Sequence, residues 1–270
     1  MPSYIVTGAS RGLGYAFLKV LALDPANTVV GLVRNVEAAS RRLAADGVTN
    51  VHVFPGDITD EASLKLAAEE TGRIVGCKGL DVLINNAAYI SETSALKSLQ
   101  DFEHDVQSVI DDAQKSFDVN VVGVLKTVFA FLPLIQRGTL KKVVAISSGM
   151  ADIDFINETK LSNAVPYSMS KAALSTLFAK LNASYEDQGI LFFSLCPGLV
   201  DTAEGNADLL NEDILLLRDI NAKFDLYAPG FEPSGPLESA ESCLAAIGRS
   251  SIEGGHGGSF LSHNGTRRWM

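Results

Sequence analysis

At 270 residues, with a formal net charge of −10 and no run of Lys or Arg, the chain lacks the basic surface of a nucleic-acid binder and is a poor match for an anionic membrane. Hydrophobic residues make up 47% but aromatics only 7%, so the apolar content is mainly Ala, Val, Ile and Leu, as in a buried parallel sheet with packed helices. Four scattered His give no support to a metal site, and the three distant cysteines, Cys77, Cys196 and Cys243, suit a reducing compartment better than a disulfide framework.

The first expected strand, Ser3–Thr7, begins almost at once, which leaves no room for a signal peptide and leads us to expect a soluble, cytoplasmic protein. It runs into the glycine turn Gly8 to Gly14 and then into a helix, Tyr15–Leu23. A strand, a glycine turn and a helix make a phosphate cradle. Gly8, Gly12 and Gly14 let the backbone approach a pyrophosphate, and the helix N-terminus offers free N–H groups and a positive dipole end. A glycine turn alone is weak evidence, and the spacing here is Gly-x-x-x-Gly-x-Gly. The second strand, Asn27–Val33, is followed directly by Arg34. A carboxylate at that place would bond ribose hydroxyls and repel a 2′-phosphate, whereas Arg can clamp one. With Arg11 as a second cation, this favours NADP over NAD.

A helix over Glu37–Ala45 and a strand over Asn50–Phe54 lead to Asp57 and Ile58. The aspartate is placed to accept an adenine amino group with Ile58 against the ring, or else to cap the helix Glu61–Glu70. The fourth strand, Leu80–Ile84, ends in Asn85, Asn86, Ala87 and Ala88, small or amide residues that let the backbone pass close to a ribose. A long helical pattern runs from Asp105 to about Arg137. Beyond Asn120 it is apolar on nearly all faces, so it needs cover on more than one side and reads as buried helix rather than membrane span. Gly123 and Pro133 invite bends in it. The bland reading of Asn120 is a buried amide that ties up a neighbouring backbone group.

The fifth strand, Lys141–Ile146, closes on Ser147 and Ser148, and residues 149–166 read as a polar loop dotted with Ile153, Phe155, Ile156 and Leu161. Tyr167 and Lys171 then stand one turn apart at the head of an apolar helix, where a cation beside a phenol favours the phenolate. The sixth strand, Gly189–Leu195, is closed by Cys196, Pro197, Gly198, Val200 and Thr202. Residues 203–233 hold an amphipathic stretch, Ala207–Leu226, between breakers, and are expected to form a lid. Phe155, Ile156, Leu209, Leu210, Ile214 and Leu217 would give loop and lid a fairly apolar pocket. A helix, Leu237–Ile247, and a strand, Gly258–Ser262, complete the chain. The alternation predicts one doubly wound α/β domain with a seven-stranded, mostly parallel sheet.

Taken together in this order, Thr7, Gly8, Gly12, Gly14, Asp57, Asn85-Asn86-Ala87, Asn120, Ser147-Ser148, Tyr167-x-x-x-Lys171 and Pro197-Gly198 resemble the short-chain dehydrogenase/reductases over essentially the whole chain. The members it looks most like are NADPH-dependent carbonyl reductases with an extended loop before the tyrosine. Two departures stand out: Ala88 replaces the usual Gly, and the gap from Ser148 to Tyr167 is longer than usual. The resemblance implies a Rossmann domain and hydride transfer between nicotinamide and a carbonyl or secondary alcohol. It implies Tyr167 as general acid/base, Lys171 lowering the Tyr167 pKa and bonding the nicotinamide ribose, Ser148 holding the carbonyl oxygen, and Asn120 positioning a relay water. The cofactor would be met by Gly8, Ser10, Arg11, Gly12, Leu13, Gly14, Arg34, Asp57, Ile58, Asn86, Ala87, Tyr167, Lys171, Pro197, Gly198, Val200 and Thr202. Ser148 is preferred to Ser147 because it matches the family position better; side chains also alternate along a strand, so only one should face the cleft. A dehydratase, isomerase or cyclase on the same scaffold, or a non-catalytic NADP-sensing regulator, are the alternatives, and the intact tetrad argues for redox chemistry. Family habit and the apolar long helix point to a homodimer or homotetramer.

Overall fold

In the computed structural model, residues 1–201 and 211–269 are described, with the backbone alone for 211–213. Seven strands form one sheet in the order β3-β2-β1-β4-β5-β6-β7, and every pairing is parallel. They are β1 (Ser3–Thr7), β2 (Thr28–Val33), β3 (Val51–Pro55), β4 (Val82–Asn85), β5 (Lys142–Ile146), β6 (Leu191–Cys196) and β7 (Phe260–Ser262). Parallel strands need crossovers, and the helices supply them on both faces: α1 (Gly12–Ala22), α2 (Val36–Ala45), α3 (Glu61–Val75), α4 (Val106–Phe117), α5 (Val124–Ile135), α6 (Ile153–Thr159), α7 (Val165–Tyr185), α8 (Asn211–Tyr227) and α9 (Pro236–Arg249). Because both faces are covered, β4 and β6 are buried at every position, and two apolar layers lie one on each side of the sheet.

The strand order reverses between β1 and β4, which opens a crevice at their carboxyl ends. The two strands are locked from below by the buried Asp81. Its carboxylate accepts the Ser3 N–H and hydroxyl and the N–H groups of Thr139 and Leu140. Burial alone would raise its pKa; the bonds from Leu140, Ser3 and Thr139 outweigh that and hold it below the usual carboxylate range.

Two elements differ from the sequence expectation. The long helix is continuous from Val106 to Ile135 but carries a π segment, Asp118–Gly123, at the place where bends were expected. It packs on α7 through α4 and on α3 through α5. By length and composition this stretch could cross a membrane, yet 56% of its most apolar window is buried inside the fold. Val106, Ile110 and Phe117 on α4 and Phe129 on α5 are left exposed. The expected loop 149–166 holds a short 3-10 turn, Gly149–Ala151, and then α6. Asp152 starts α6 by accepting the Phe155 N–H, and Phe155 and Thr159, one turn apart, are buried. The cap and the i, i+4 pair were present in the sequence but too short to stand out as a periodic run.

Candidate active site

The cradle is built by backbone. Gly8 and Gly12 have φ of 65° and 54°. A Cβ on Gly14 would lie 2.3 Å from the Gly8 carbonyl oxygen and 2.5 Å from Asn86 Nδ2, so only glycine fits there. Arg11, at the N-cap of α1, is extended and gives no side-chain cap, and the first turn holds no acidic residue. By contrast α2, α3 and α4 are capped by Asn35, Asp60 and Asp105. The N-terminal N–H groups of α1 are thus left to face a ligand with phosphate chemistry, and the residues fit a dinucleotide.

Thr7 binds this loop to the end of β4. Its hydroxyl accepts the N–H groups of Asn86 and Ala87, while Asn86 Nδ2 donates to the carbonyls of Thr7 and Gly8. Asn86 is therefore engaged in shaping the cradle, and Ala87 packs so closely that a Cβ on Gly8 would meet its Cα at 2.8 Å. Ser10 and Arg11 are exposed at the turn, whereas the Leu13 side chain belongs to the core. Arg34 is exposed at the end of β2, and its charge, after hydrogen bonds from Thr59, helps to lower the pKa of Asp57. The capping alternative for Asp57 is corrected: Asp60 caps α3, and the Asp57 carboxylate accepts the N–H and hydroxyl of Thr59. The Ile58 side chain is buried in the core against Gly123. One cation escaped the sequence reading. Arg42 lies over the Tyr15 ring at 4.2 Å, with Nη1 3.5 Å from the Ser10 carbonyl, and its place on α2 two turns past Arg34 was the signal.

The reactive groups meet at the ends of β5 and β6 and the start of α7. The helix has begun before Tyr167, with Pro166 in its first turn, so Tyr167 and Lys171 share a face. Ser147 and Ser148 divide as alternation requires. Ser147 turns into α7 toward Ser175 and the Lys171 carbonyl, while Ser148 caps the turn after β5 and lies near enough to the Tyr167 phenol to act on its pKa. Lys171 is 2% exposed, its Nζ donating to the Ile146 carbonyl at 2.7 Å and lying 5.5 Å from the Tyr167 ring centroid. Burial dominates both groups. It lowers the Lys171 pKa to about 8 and raises that of Tyr167, with the nearby Cys196 thiol adding to the rise and Ser148 opposing it. Burial therefore sets the direction for the phenol, whose pKa stands above its ordinary value and not below it as expected from Lys171.

Asn120 is fully buried in the π segment. Oδ1 accepts the Tyr89 N–H, and Nδ2 donates to the Tyr89 carbonyl and to the Ser170 hydroxyl, which itself donates to the Tyr167 carbonyl. Both amide N–H groups are thus engaged, and the side chain ties the backbone of Tyr89 to α7, while Oδ1 keeps one lone pair. On the far side, Pro197 O accepts the Ser239 hydroxyl, Gly198 has a φ of 80° against His263, and Val200 bridges to Ser234. Thr202 lies outside the described residues, as do 203–210 of the expected lid with Leu209 and Leu210. The inward face of α8 carries Ile220, Phe224 and Tyr227; Ile214 is exposed. Among the described residues no group of His, Cys, Asp and Glu could hold a metal ion.

The comparisons agree with this geometry. The short chain dehydrogenase family model matches residues 3–212. The short-chain dehydrogenase/reductase AacuF of Aspergillus aculeatus is 46% identical over the whole of both chains, and the short chain dehydrogenase virK of Hypocrea virens 40% over the same extent. Among solved structures, an NADPH-bound carbonyl reductase from chicken fatty liver superposes with a TM-score of 0.76 at 25% identity, covering 98% of each chain. The carbonyl reductase Sniffer of D. melanogaster, at 22% identity and TM-score 0.75, shares the fold over 98% of each chain. A glycine cradle at the sheet crossover, a serine, tyrosine and lysine gathered beside it, and full-length relatives of one kind place this chain in the short-chain dehydrogenase family of oxidoreductases.

Proposed function

We propose that the protein is an NADP(H)-dependent carbonyl reductase in which Tyr167 is the general acid. The observation that carries this reading is the Tyr167 phenol with the buried Lys171 one turn along α7, its ammonium 5.5 Å from the phenol ring, beside the turn that starts at Ser148. The Gly8–Gly14 cradle and the uncapped α1 would hold the pyrophosphate, and Arg34 and Arg11 the 2′-phosphate, with Arg42 close by at the Ser10 carbonyl. Bound NADPH supplies the hydride that adds to the carbonyl carbon. The C=O π pair then moves to oxygen, and Tyr167 gives that oxygen its proton while Ser148 holds it in place. The raised phenol pKa keeps Tyr167 protonated at neutral pH, which is the form a donor needs. Lys171, protonated below about pH 8, stabilises the phenolate left behind and returns a proton to it. A homodimer or homotetramer is supported by the exposed Ile110, Phe117 and Phe129, which form an apolar face on one long helix.

The test is Tyr167→Phe, assayed with NADPH and a panel of ketones and aldehydes. Turnover is expected to fall on the order of 10²–10⁴-fold while NADPH binding is kept. Substantial residual reduction by the variant would overturn the role given to Tyr167.

A further inference from the structure

An aromatic residue far along the chain reaches the back of the catalytic serine. Trp269, in the segment after β7, is 3% exposed and stacks on Phe260 with ring centroids 4.2 Å apart. Its Cβ and Cγ lie against Gly149, the residue after Ser148: a Cβ built on Gly149 would meet them at 2.9 and 3.0 Å. Gly149 has no left-handed backbone, so the close approach of the indole, and not its own conformation, is what excludes a larger side chain. A second contact holds the same residue. The Gly149 N–H donates to Cys196 Sγ at 3.2 Å. A third contact is the Arg267 guanidinium, 3.5 Å from the Asp152 carboxylate that starts α6.

These contacts belong to one buried cluster of Phe155, Leu161, Cys196 and Trp269, against which Ile220, Phe224 and Tyr227 pack. Phe155 meets Tyr227 edge-on at 4.9 Å and lies parallel to Phe224 at 6.4 Å. So the inserted segment before Tyr167, the helix α8 and the segment after β7 converge behind one turn, Gly149–Ala151. Ser148 caps that turn, which packs on α7, the helix that carries Tyr167. Interiors are packed to crystal-like density, so a large ring removed from behind a turn leaves space into which the turn moves.

We propose that Trp269 is a positioning residue for catalysis: its indole, pressed on Gly149 opposite the Cys196 thiol, holds the Ser148 hydroxyl on Tyr167. The proposal rests on the reading of Ser148 and Tyr167 as the proton-transfer pair. The phosphate end of the cofactor would be held elsewhere, by the cradle and α1, so loss of the indole is expected to lower turnover more than NADPH binding.

The experiment compares the full chain with Trp269→Ala, Trp269→Phe and Gly149→Ala. For each it measures kcat on a ketone the parent reduces, NADPH affinity by fluorescence, and hydrogen exchange of a peptide covering 147–152. Trp269→Ala is expected to lower kcat by about tenfold or more, to leave NADPH affinity within about twofold, and to speed exchange in 147–152 more than in the β1–α1 peptide. Trp269→Phe, which keeps a ring at that place, restores most of kcat. Gly149→Ala disturbs the contact from the other side while leaving the Phe260 stack intact, and it decides the matter if Trp269→Ala does not fold. An unchanged kcat, or losses of NADPH affinity and exchange protection spread evenly over the chain, would overturn the proposal. Should the parent reduce no ketone, the Tyr167 reading fails by itself, and exchange in 147–152 still judges the wedge: no local change in Trp269→Ala ends it.

Discussion

The glycine cradle and the cluster behind the Ser148 turn are built by opposite means. The cradle at Gly8–Gly14 is made of consecutive residues whose backbone does the work, and Thr7 and Asn86 hold it with four hydrogen bonds. The cluster is made of side chains from segments far apart in sequence: Phe155 on α6, Phe224 and Tyr227 on α8, and Trp269 after β7. A backbone site depends on a few residues with no side chain, and a side-chain site depends on packing among many. The first therefore tolerates almost no change at its glycines, and the second tolerates exchange of one apolar group for another of similar volume.

This contrast can be tested by steps. The largest effect expected is that of Gly14→Ala, whose methyl would be driven into the Gly8 carbonyl and Asn86. Overpacking of about 3 kcal/mol there would weaken NADPH binding on the order of a hundredfold by titration. Binding within a few-fold of the parent would show that the cradle gives way more easily than its geometry allows. Next is Arg34→Asp, which changes an exposed charge and so acts through screened electrostatics. NADPH affinity should drop by about tenfold relative to NADH. Equal affinity of the parent for both nucleotides would remove the basis for Arg34 as the 2′-phosphate clamp.

The smallest effect sits between the two regions. Burial brings the Lys171 pKa down to about 8, so in the free enzyme its proton is lost as pH rises through that value, well before an exposed lysine would lose it. Because kcat/KM reports the free enzyme, reduction should decline on the alkaline side, by roughly fourfold at pH 8.5. Lys171→Arg should carry no such limb in whatever activity remains. A flat parent profile to pH 10 would show that the ammonium is not needed for the acid step.

What the sequence made legible follows from the same contrast. Strands and helices with long periodic patterns were found within a few residues, and the glycine turn, Ser148 over Ser147, and the Tyr167–Lys171 face were readable because each depends on near neighbours. That the Asn120 amide ties up a backbone group was readable, but not which one, since its partners Tyr89 and Ser170 lie 31 and 50 positions away. The burial of Ile58 was hidden for a related reason: an apolar residue beside a site looks the same in sequence whether it faces a ligand or the core. Short α6 was hidden because two buried residues do not make a pattern. Trp269 carried no local signal, because its meaning lies in Gly149, 120 positions earlier.

The clamp at Asp81 has a bearing on how the chain is made. During synthesis β1 leaves the ribosome first, yet the carboxylate that ties Ser3 down comes 78 residues later, and that carboxylate is completed only by the N–H groups of Thr139 and Leu140. The nascent phosphate loop thus has its glycines long before it has a foundation. An interior strand of the finished sheet, made first of the seven, is then secured only once residue 140 has been added, and a chain interrupted before it would carry the motif without that clamp.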